Sequence, residues 1–273
     1  MARWACAAAA ILGMTMASPA DAEEPVLLHA AGSLRGALTE VADAFTAEAG
    51  IKVEAKYGPS GTLRDEIAAG GRAEVFASAN MEHPQSLAAA GKSSRVVLFA
   101  RNRLCALVKP GLAVTPETLL GTMLRDDIKL GTSTPKADPA GDYAFAVFAK
   151  ADAAKIGSRK ILEQKVQQLT GGPSSAAGPA GRSVYGWHVS EGRADIFLTY
   201  CTGALVAQRE NPGQQIVTLP EPLAVGADYG LTVINGSPPA ASRFAQFIVS
   251  SKGQQILAKH GFAAPGLSQG EQR

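Results

Sequence analysis

Val26-Leu27-Leu28-His29-Ala30-Ala31-Gly32-Ser33-Leu34-Arg35-Gly36-Ala37-Leu38 is the stretch that decides the fold. Val26 to Leu28 read as the end of a buried strand, and Ala30-Ala31-Gly32 as a small-residue turn. From Leu34 on, apolar residues recur as Leu34, Ala37, Leu38, Val41, Ala42 and Phe45, the spacing of a helix with one face packed on a sheet. Ser33 stands directly before that pattern and reads as the N-cap. A serine there ordinarily satisfies free backbone N–H groups, but among small neighbours it can turn both hydroxyl and amide toward a bound anion. The helix dipole adds positive potential at the same place.

The same sentence is then repeated. Ile51 to Tyr57 alternates like a strand and runs into Gly58-Pro59-Ser60-Gly61-Thr62, after which a helix from about Leu63 to Ala69 is stopped by Gly70-Gly71. Ala73 to Ala79 reads as a strand, Glu82 to Ala90 as a helix, and Val96 to Ala100 as another apolar run. This alternation predicts a mostly parallel sheet covered on both faces. At Asn102 to Val108 a new strand enters a second lobe and turns at Lys109-Pro110-Gly111. A short helix from Pro116 to Met123 and a strand from Ile128 to Gly131 follow. Asp138-Pro139-Ala140-Gly141-Asp142-Tyr143 is a turn feeding a helix to about Ala153, and Ile161 to Leu169 is amphipathic. Gly171 to Arg182, rich in Gly, Pro, Ser and Ala, is a loop. Ser183 to Glu191 reads as a short helix, Ala194 to Tyr200, Gln215 to Leu219 and Gly230 to Ile234 as strands, and Ala240 to Val249 and Gln254 to His260 as helices. A late return of strand and helix predicts that the C-terminal part rejoins the first lobe.

Composition bounds the function. Arg3, the apolar run Ala5 to Met16 and Ala20-Asp21-Ala22 read as a secretory leader cleaved near Ala22, so residues 1–22 are set aside. What remains, roughly 250 residues, suffices for one large or two medium domains. No later stretch has the roughly 18 apolar residues of a membrane helix, so no membrane insertion is expected. A net charge of +2, without a basic stripe, excludes nucleic acid as partner. Cys105 and Cys201 are an even pair compatible with one disulfide in an oxidising compartment, a pairing the sequence leaves open. His29, His83, His188 and His260 make no metal spacing with them, so no cation site and no cofactor are expected.

With these residues laid out, the chain resembles the periplasmic molybdate-binding proteins, the soluble receptors of molybdate ABC transporters. The carriers are Ala30-Ala31-Gly32-Ser33-Leu34, Ser60-Gly61-Thr62-Leu63, Ala73-Glu74-Val75-Phe76-Ala77-Ser78-Ala79, Pro139-Ala140-Gly141 with Tyr143, Ser183-Val184, Tyr200, and Gly253-Gln254-Gln255-Ile256-Leu257 ahead of His260-Gly261-Phe262. The resemblance implies an α/β, two-lobed periplasmic binding protein of type II with a hinge and an interlobe cleft. Lobe I would be residues 23–101 plus 229–273, and lobe II residues 102–228. It implies an oxyanion, molybdate and also tungstate, held by neutral donors: hydroxyl and amide of Ser33 and Ser60, the backbone N–H of Ala140 and Val184, and the Tyr200 hydroxyl. It further implies a monomer in the periplasm that hands its ligand to a membrane permease.

About seven such hydrogen bonds, at about 1.5 to 3 kcal/mol each, give a gross gain on the order of 10 to 20 kcal/mol against an association cost of roughly 4 to 15. Micromolar binding needs no Arg or Lys in the cavity. Asp138 and Asp142 flank Ala140. Asp142 in a first helical turn reads as a dipole partner, and turned inward it would favour a proton-bearing ligand. Sulfate, phosphate and arsenate are therefore the alternative ligands. A secreted serine hydrolase is a remoter alternative: Gly58-Pro59-Ser60-Gly61-Thr62 lacks the second Gly of a nucleophile elbow, and His188 reads as a surface residue. Tyr185, Trp187 and Phe197 read as packing within the second lobe.

Overall fold

The computed structural model describes Met1 and residues 23–265. The leader expected over residues 1–22 thus lies, Met1 apart, outside the described residues. Nine strands follow in chain order: β1 Val26–Ala31, β2 Val53–Gly58, β3 Val75–Ser78, β4 Val97–Val108, β5 Leu130–Ser133, β6 Gln167–Thr170, β7 Ile196–Tyr200, β8 Gln215–Thr218 and β9 Gly226–Val233. The helices are α1 Arg35–Ala49, α2 Ser60–Ala68, α3 Glu82–Ala89, α4 Pro116–Met123, α5 Pro139–Ala154, α6 Ser158–Lys165, α7 Val184–Ser190, α8 Cys201–Glu210, α9 Pro239–Val249 and α10 Ser251–Lys259.

The strands lie in the order β2-β1-β3-β9-β4-β7-β5-β6, with β8 added to β4. The sheet is mixed, not mostly parallel. β1 runs parallel to β2 and β3, and β5 parallel to β6 and β7, but every pairing of β4 and β9 is antiparallel. Alternation of strand and helix foretells the parallel units; it is silent about strands that return from the far end of the chain.

The separate segments expected around Val96–Ala100 and Asn102–Val108 are one strand. β4 pairs with β9 from Val97 to Arg103 and with β7 from Leu104 to Val108, where β8 also joins it. Its partner changes between Arg103 and Leu104, within the strand and not at the turn Lys109-Pro110-Gly111. We call the part built on β1, β2, β3 and β9 lobe I and the part built on β5, β6 and β7 lobe II.

Each lobe has its own reason to fold. In lobe I, Val26, Leu28 and Ala30 are fully buried, as a strand covered on both faces must be. The apolar stripe of α1 buries Ala37, Leu38, Val41, Ala42 and Phe45, and Phe45 lies 5.1 Å from Phe244 and 5.5 Å from Phe247 on α9, ring centre to ring centre. In lobe II, Val147 and Phe148 of α5, Leu162 of α6 and Ile196 and Leu198 of β7 are fully buried. The amphipathic Ile161–Leu169 divides into the end of α6 and strand β6, and α8, unforeseen from Cys201-Thr202-Gly203, begins directly after Tyr200.

Cys105 on β4 and Cys201 at the start of α8 are joined by a disulfide. It closes a long loop, its cysteines separated by 96 in sequence, so replacing both by Ser is expected to lower unfolding stability by about 4 kcal/mol. Urea melts of the oxidised wild type and the double variant check this; equal midpoints would show that the loop is already closed in the unfolded chain.

Candidate functional site

In open α/β sheets, ligands sit beyond the carboxyl ends of strands, where helix N-termini present free N–H groups. Four such junctions converge here. β1 leads through a single 3-10 turn, Gly32–Leu34, into α1; β2 leads through Pro59 into α2; β5 leads through residues 134–138 into α5; β7 leads directly into α8.

Ser33 does not cap α1. It lies inside the 3-10 turn, and the residue before α1 is Leu34, with no side-chain capping bond. Its hydroxyl instead meets the Tyr229 hydroxyl of β9 at 3.0 Å. Tyr229 also receives the Asn102 amide of β4 at 3.3 Å, and that amide gives a second bond to Thr202 Oγ1 at 2.8 Å. The orientation of Asn102 is fixed because its Oδ1 accepts the Arg103 N–H at 2.9 Å. Asn102 donates to the Tyr229 oxygen; the Ser33–Tyr229 bond can run either way, and when Tyr229 donates, the Ser33 hydrogen is free for another acceptor.

Ser60 is the first residue of α2, and its Oγ accepts the Ala79 N–H at 3.1 Å, which likewise leaves its own hydrogen free to donate. The Ala79 carbonyl meets the Tyr200 hydroxyl of lobe II at 3.4 Å. Ser60 and Tyr200 are thus brought together from opposite lobes on one residue. Tyr200 lies in a row of rings, 6.2 Å from Tyr143 and 5.6 Å from Tyr229. Burial pushes the phenols of Tyr143, Tyr185, Tyr200 and Tyr229 up, so all four stay protonated at any physiological pH.

The loop before α5 closes the other side. Gly61, one residue into α2, donates its N–H to the Ala137 carbonyl across the cleft at 2.9 Å. A Cβ there would overlap the Lys136 carbonyl oxygen and lie 2.9 Å from that of Ala137, so only glycine permits this approach. Lys136 holds a left-handed backbone, φ 67°, and its N–H is taken by Asp142 Oδ1 at 2.9 Å. The Ala140 N–H is not free: Asp138, the N-cap of α5, accepts it at 3.1 Å. Val184 is the first residue of α7, capped by Ser183, whose Oγ accepts the Gly186 N–H. Its neighbour Tyr185 packs 5.3 Å from Phe197. Ser33, Ser60 and Tyr200 are therefore linked through Tyr229 and Ala79; Ala140 lies three residues beyond the Gly61–Ala137 contact with its N–H on Asp138, and Val184 opens α7 next to Tyr185.

The acid that meets the Ala140 N–H and lies near Ser133 and Tyr185 is Asp138, whereas the sequence singles out Asp142. Burial pushes the Asp138 carboxyl up to about 6, opposed by the Ala140 N–H and the nearby Ser133 hydroxyl and helped by the Asp142 charge. Asp142 is also raised, by burial first, but its carboxylate serves the loop backbone. His188 is buried, not on the surface, and stacks on Phe197 at 6.0 Å. The Ser60 hydroxyl holds a backbone amide, not a histidine. Among the described residues, no group of three His, Cys, Asp or Glu is placed to hold a metal ion, and no helix is long and apolar enough to cross a membrane. Tyr229, Asn102 and Ala79 escaped the sequence reading; only the alternation of β9 around Tyr229 could have hinted at an inward-facing tyrosine.

Two α/β lobes sharing a strand, with serine-bearing strand–helix junctions facing a tyrosine across the gap, define a two-lobed solute-binding protein of type II. The chain belongs to the bacterial extracellular solute-binding protein family, which it matches over residues 26–263. It is 33% identical over 234 residues to an uncharacterized protein of Pasteurella multocida, covering 85% of this chain and 96% of the relative. It is 26% identical over 255 residues to the molybdate-binding protein ModA of Mycobacterium bovis, covering 91% and 88%. In three dimensions it is similar to the sulfate-binding protein SubI of Mycobacterium tuberculosis, with a TM-score of 0.72, 20% identity, and 89% and 88% of the two chains covered.

Two outcomes follow from this geometry. Gly61→Ala is expected to hold the lobes apart and weaken ligand binding at least tenfold while leaving the melting temperature of the free protein nearly unchanged; titration calorimetry and small-angle scattering measure both. For Asp138, the folded state keeps its proton more tightly than the unfolded chain, so ionisation costs folding free energy as pH rises from 3.8 to about 6. The advantage of Asp138→Asn in stability is thus expected to grow across that window to about 2 to 3 kcal/mol and to stay flat above it, as read from paired urea melts.

Proposed function

We propose that this protein captures a tetrahedral oxyanion, molybdate and with it tungstate, between its lobes outside the cytoplasm and presents it to the membrane permease of an ABC transporter. The observation that carries the reading is the set of hydroxyl partners: Ser60 Oγ accepts the Ala79 N–H, which leaves its hydrogen to donate, and Ser33 Oγ meets only another hydroxyl, that of Tyr229, which can take the acceptor's or the donor's part. Donors fixed in this way before the ligand arrives lose little entropy on binding and suit an ion that only accepts. The name of the mycobacterial relative supports molybdate, and the protein would act as a monomer whose lobes hinge about β4 and β9.

Site residues in this proposal are Ser33 and Ser60 through hydroxyl and amide, Tyr200 through its phenol, and the backbone of Val184. Ala140 joins them only when Asp138 releases its amide. Sulfate, phosphate and arsenate compete as ligands because the same donors fit any tetrahedral oxyanion, and the fold is shared with a sulfate-binding protein. A leader ending near Ala22 would direct the chain to the periplasm.

Calorimetric titration of the mature protein with molybdate, tungstate, sulfate, phosphate and arsenate tests the reading. Micromolar or tighter affinity for molybdate is expected, with a rise in melting temperature that follows RT ln(1 + [L]/Kd). Ser60→Ala should weaken binding by roughly 10- to 100-fold, the loss of one hydrogen bond to a charged acceptor at about 1.5 to 3 kcal/mol. If none of the five anions shifts the melting curve, the oxyanion reading fails.

A further inference from the structure

We propose that the occupied site contains one proton shared between Asp138 and the bound anion, so that Asp138 couples anion capture to proton uptake and sets which oxyanions are accepted. The inference rests on the oxyanion reading above and makes it more specific.

The placement of Asp138 is the main argument. Its Oδ1 occupies the Ala140 N–H, which is the amide that the resemblance assigns to the ligand. An anion reaching this amide must come against the carboxyl or displace it. Gly171 packs against it: a Cβ there would stand 2.6 Å from Asp138 Cβ and 2.8 Å from Oδ2, so the glycine leaves the carboxyl its place. On the remaining sides it meets the end of β5, where the Ser133 hydroxyl is fully buried without a well-formed hydrogen bond, and the Tyr185 phenol. Among the described residues, none of the ion pairs involves Asp138.

The titratable groups around it add no positive charge. Asp142 acts from the first turn of α5, Tyr185 from α7 and Tyr200 from the end of β7. Lys136, in the loop before α5, is exposed and gives its backbone N–H to Asp142. A carboxylate and a dianion side by side in such a chamber cannot both stay fully charged. The carboxyl already titrates near 6 in the empty site, so a neighbouring dianion carries it through neutrality. Molybdate, sulfate or tungstate would then bind together with a proton taken from water, which resides on Asp138 and is donated to an anion oxygen. Hydrogen phosphate or hydrogen arsenate brings that proton itself, and the ionised carboxylate accepts it.

The test is titration calorimetry with molybdate on wild type and Asp138→Asn, at pH 6.5, 7.5 and 8.5, each in two buffers of different ionisation enthalpy. Wild type is expected to take up close to one proton per anion at pH 7.5 and to lose affinity about tenfold per pH unit. Asp138→Asn should show neither effect. Wild type that binds molybdate with no proton exchange and a flat profile overturns the proposal and leaves the oxyanion reading intact, as does a variant that keeps the uptake. Should the variant not fold, the buffer dependence of wild type alone decides. If hydrogen phosphate is the anion that binds, Asp138→Asn must weaken it at least tenfold, and unchanged affinity overturns the proposal. No binding by any of the five anions to either protein removes the oxyanion reading, and this proposal with it.

Discussion

The cleft depends on one strand serving two lobes. β4 spends its first seven residues against β9 and its last five against β7 and β8, so its hydrogen-bond ladder sets the relative position of everything on either side. Asn102 stands just before the change of partner and ties the three groups that must agree: the backbone of β4 through Arg103, Tyr229 of β9, and Thr202 of α8. A shift of β4 by one residue would turn Asn102 to the other face, and Tyr229, which meets Ser33, would lose its amide donor. The disulfide between Cys105 and Cys201 pins the same strand to α8 on the far side of the crossing. Tyr200 is therefore fixed at both edges: its backbone pairs with Leu104 and the next residue is covalently tied to Cys105.

That division explains what the sequence revealed. The strand–turn–helix junctions that carry Ser33 and Ser60 are legible because their signals lie within a dozen residues. Tyr200 has no pattern of its own, and its part in the site rests on the resemblance. Ser33 was misjudged as a helix cap because its actual partner, Tyr229, is 196 positions away, and nothing local announces a 3-10 turn before α1. Asn102 and Ala79 act through contacts to Tyr229 and Tyr200 over 127 and 121 positions, which only the register of β4 and β9 creates. α8 escaped because Cys201-Thr202-Gly203 has weak helix propensity; the helix is held by packing, with Thr202, Ala204 and Ala207 buried. The mixed sheet was illegible for the same reason: antiparallel β9 is chosen by its partners, not by its own residues.

Electrostatics divides the site unevenly between the lobes. Lobe I offers two neutral hydroxyls, each already met by one protein partner. Lobe II offers phenols and an acid whose carboxyl burial pushes up. Tyr143, Tyr185 and Tyr200 are raised first by burial and then by neighbouring negative charge or phenols, with Asp138 acting on two of them. A site made only of donors would bind any tetrahedral dianion and discriminate by size alone, where a small difference in fit is worth little. On the proposed reading, a site that also holds one titratable carboxyl would sense the protonation state of the ligand, which differs far more among oxyanions of the same shape.

Closure and capture also draw on the same atoms. The N-terminus of α2 has its Gly61 N–H committed to the Ala137 carbonyl, and the Ala140 N–H is committed to Asp138. Both helix starts thus have backbone donors engaged by oxygens of lobe II. Buried N–H groups left without acceptors would be costly, so these internal acceptors help to hold the two lobes together. They also set a threshold for any ligand of these amides: it must replace the acceptors it displaces as well as overcome its own loss of hydration. A dianion can do this where a neutral solute cannot, because hydrogen bonds to an ionised acceptor are roughly twice as strong as those to a neutral one. On the proposed reading, selection for charge would then precede any direct contact that distinguishes one ligand from another.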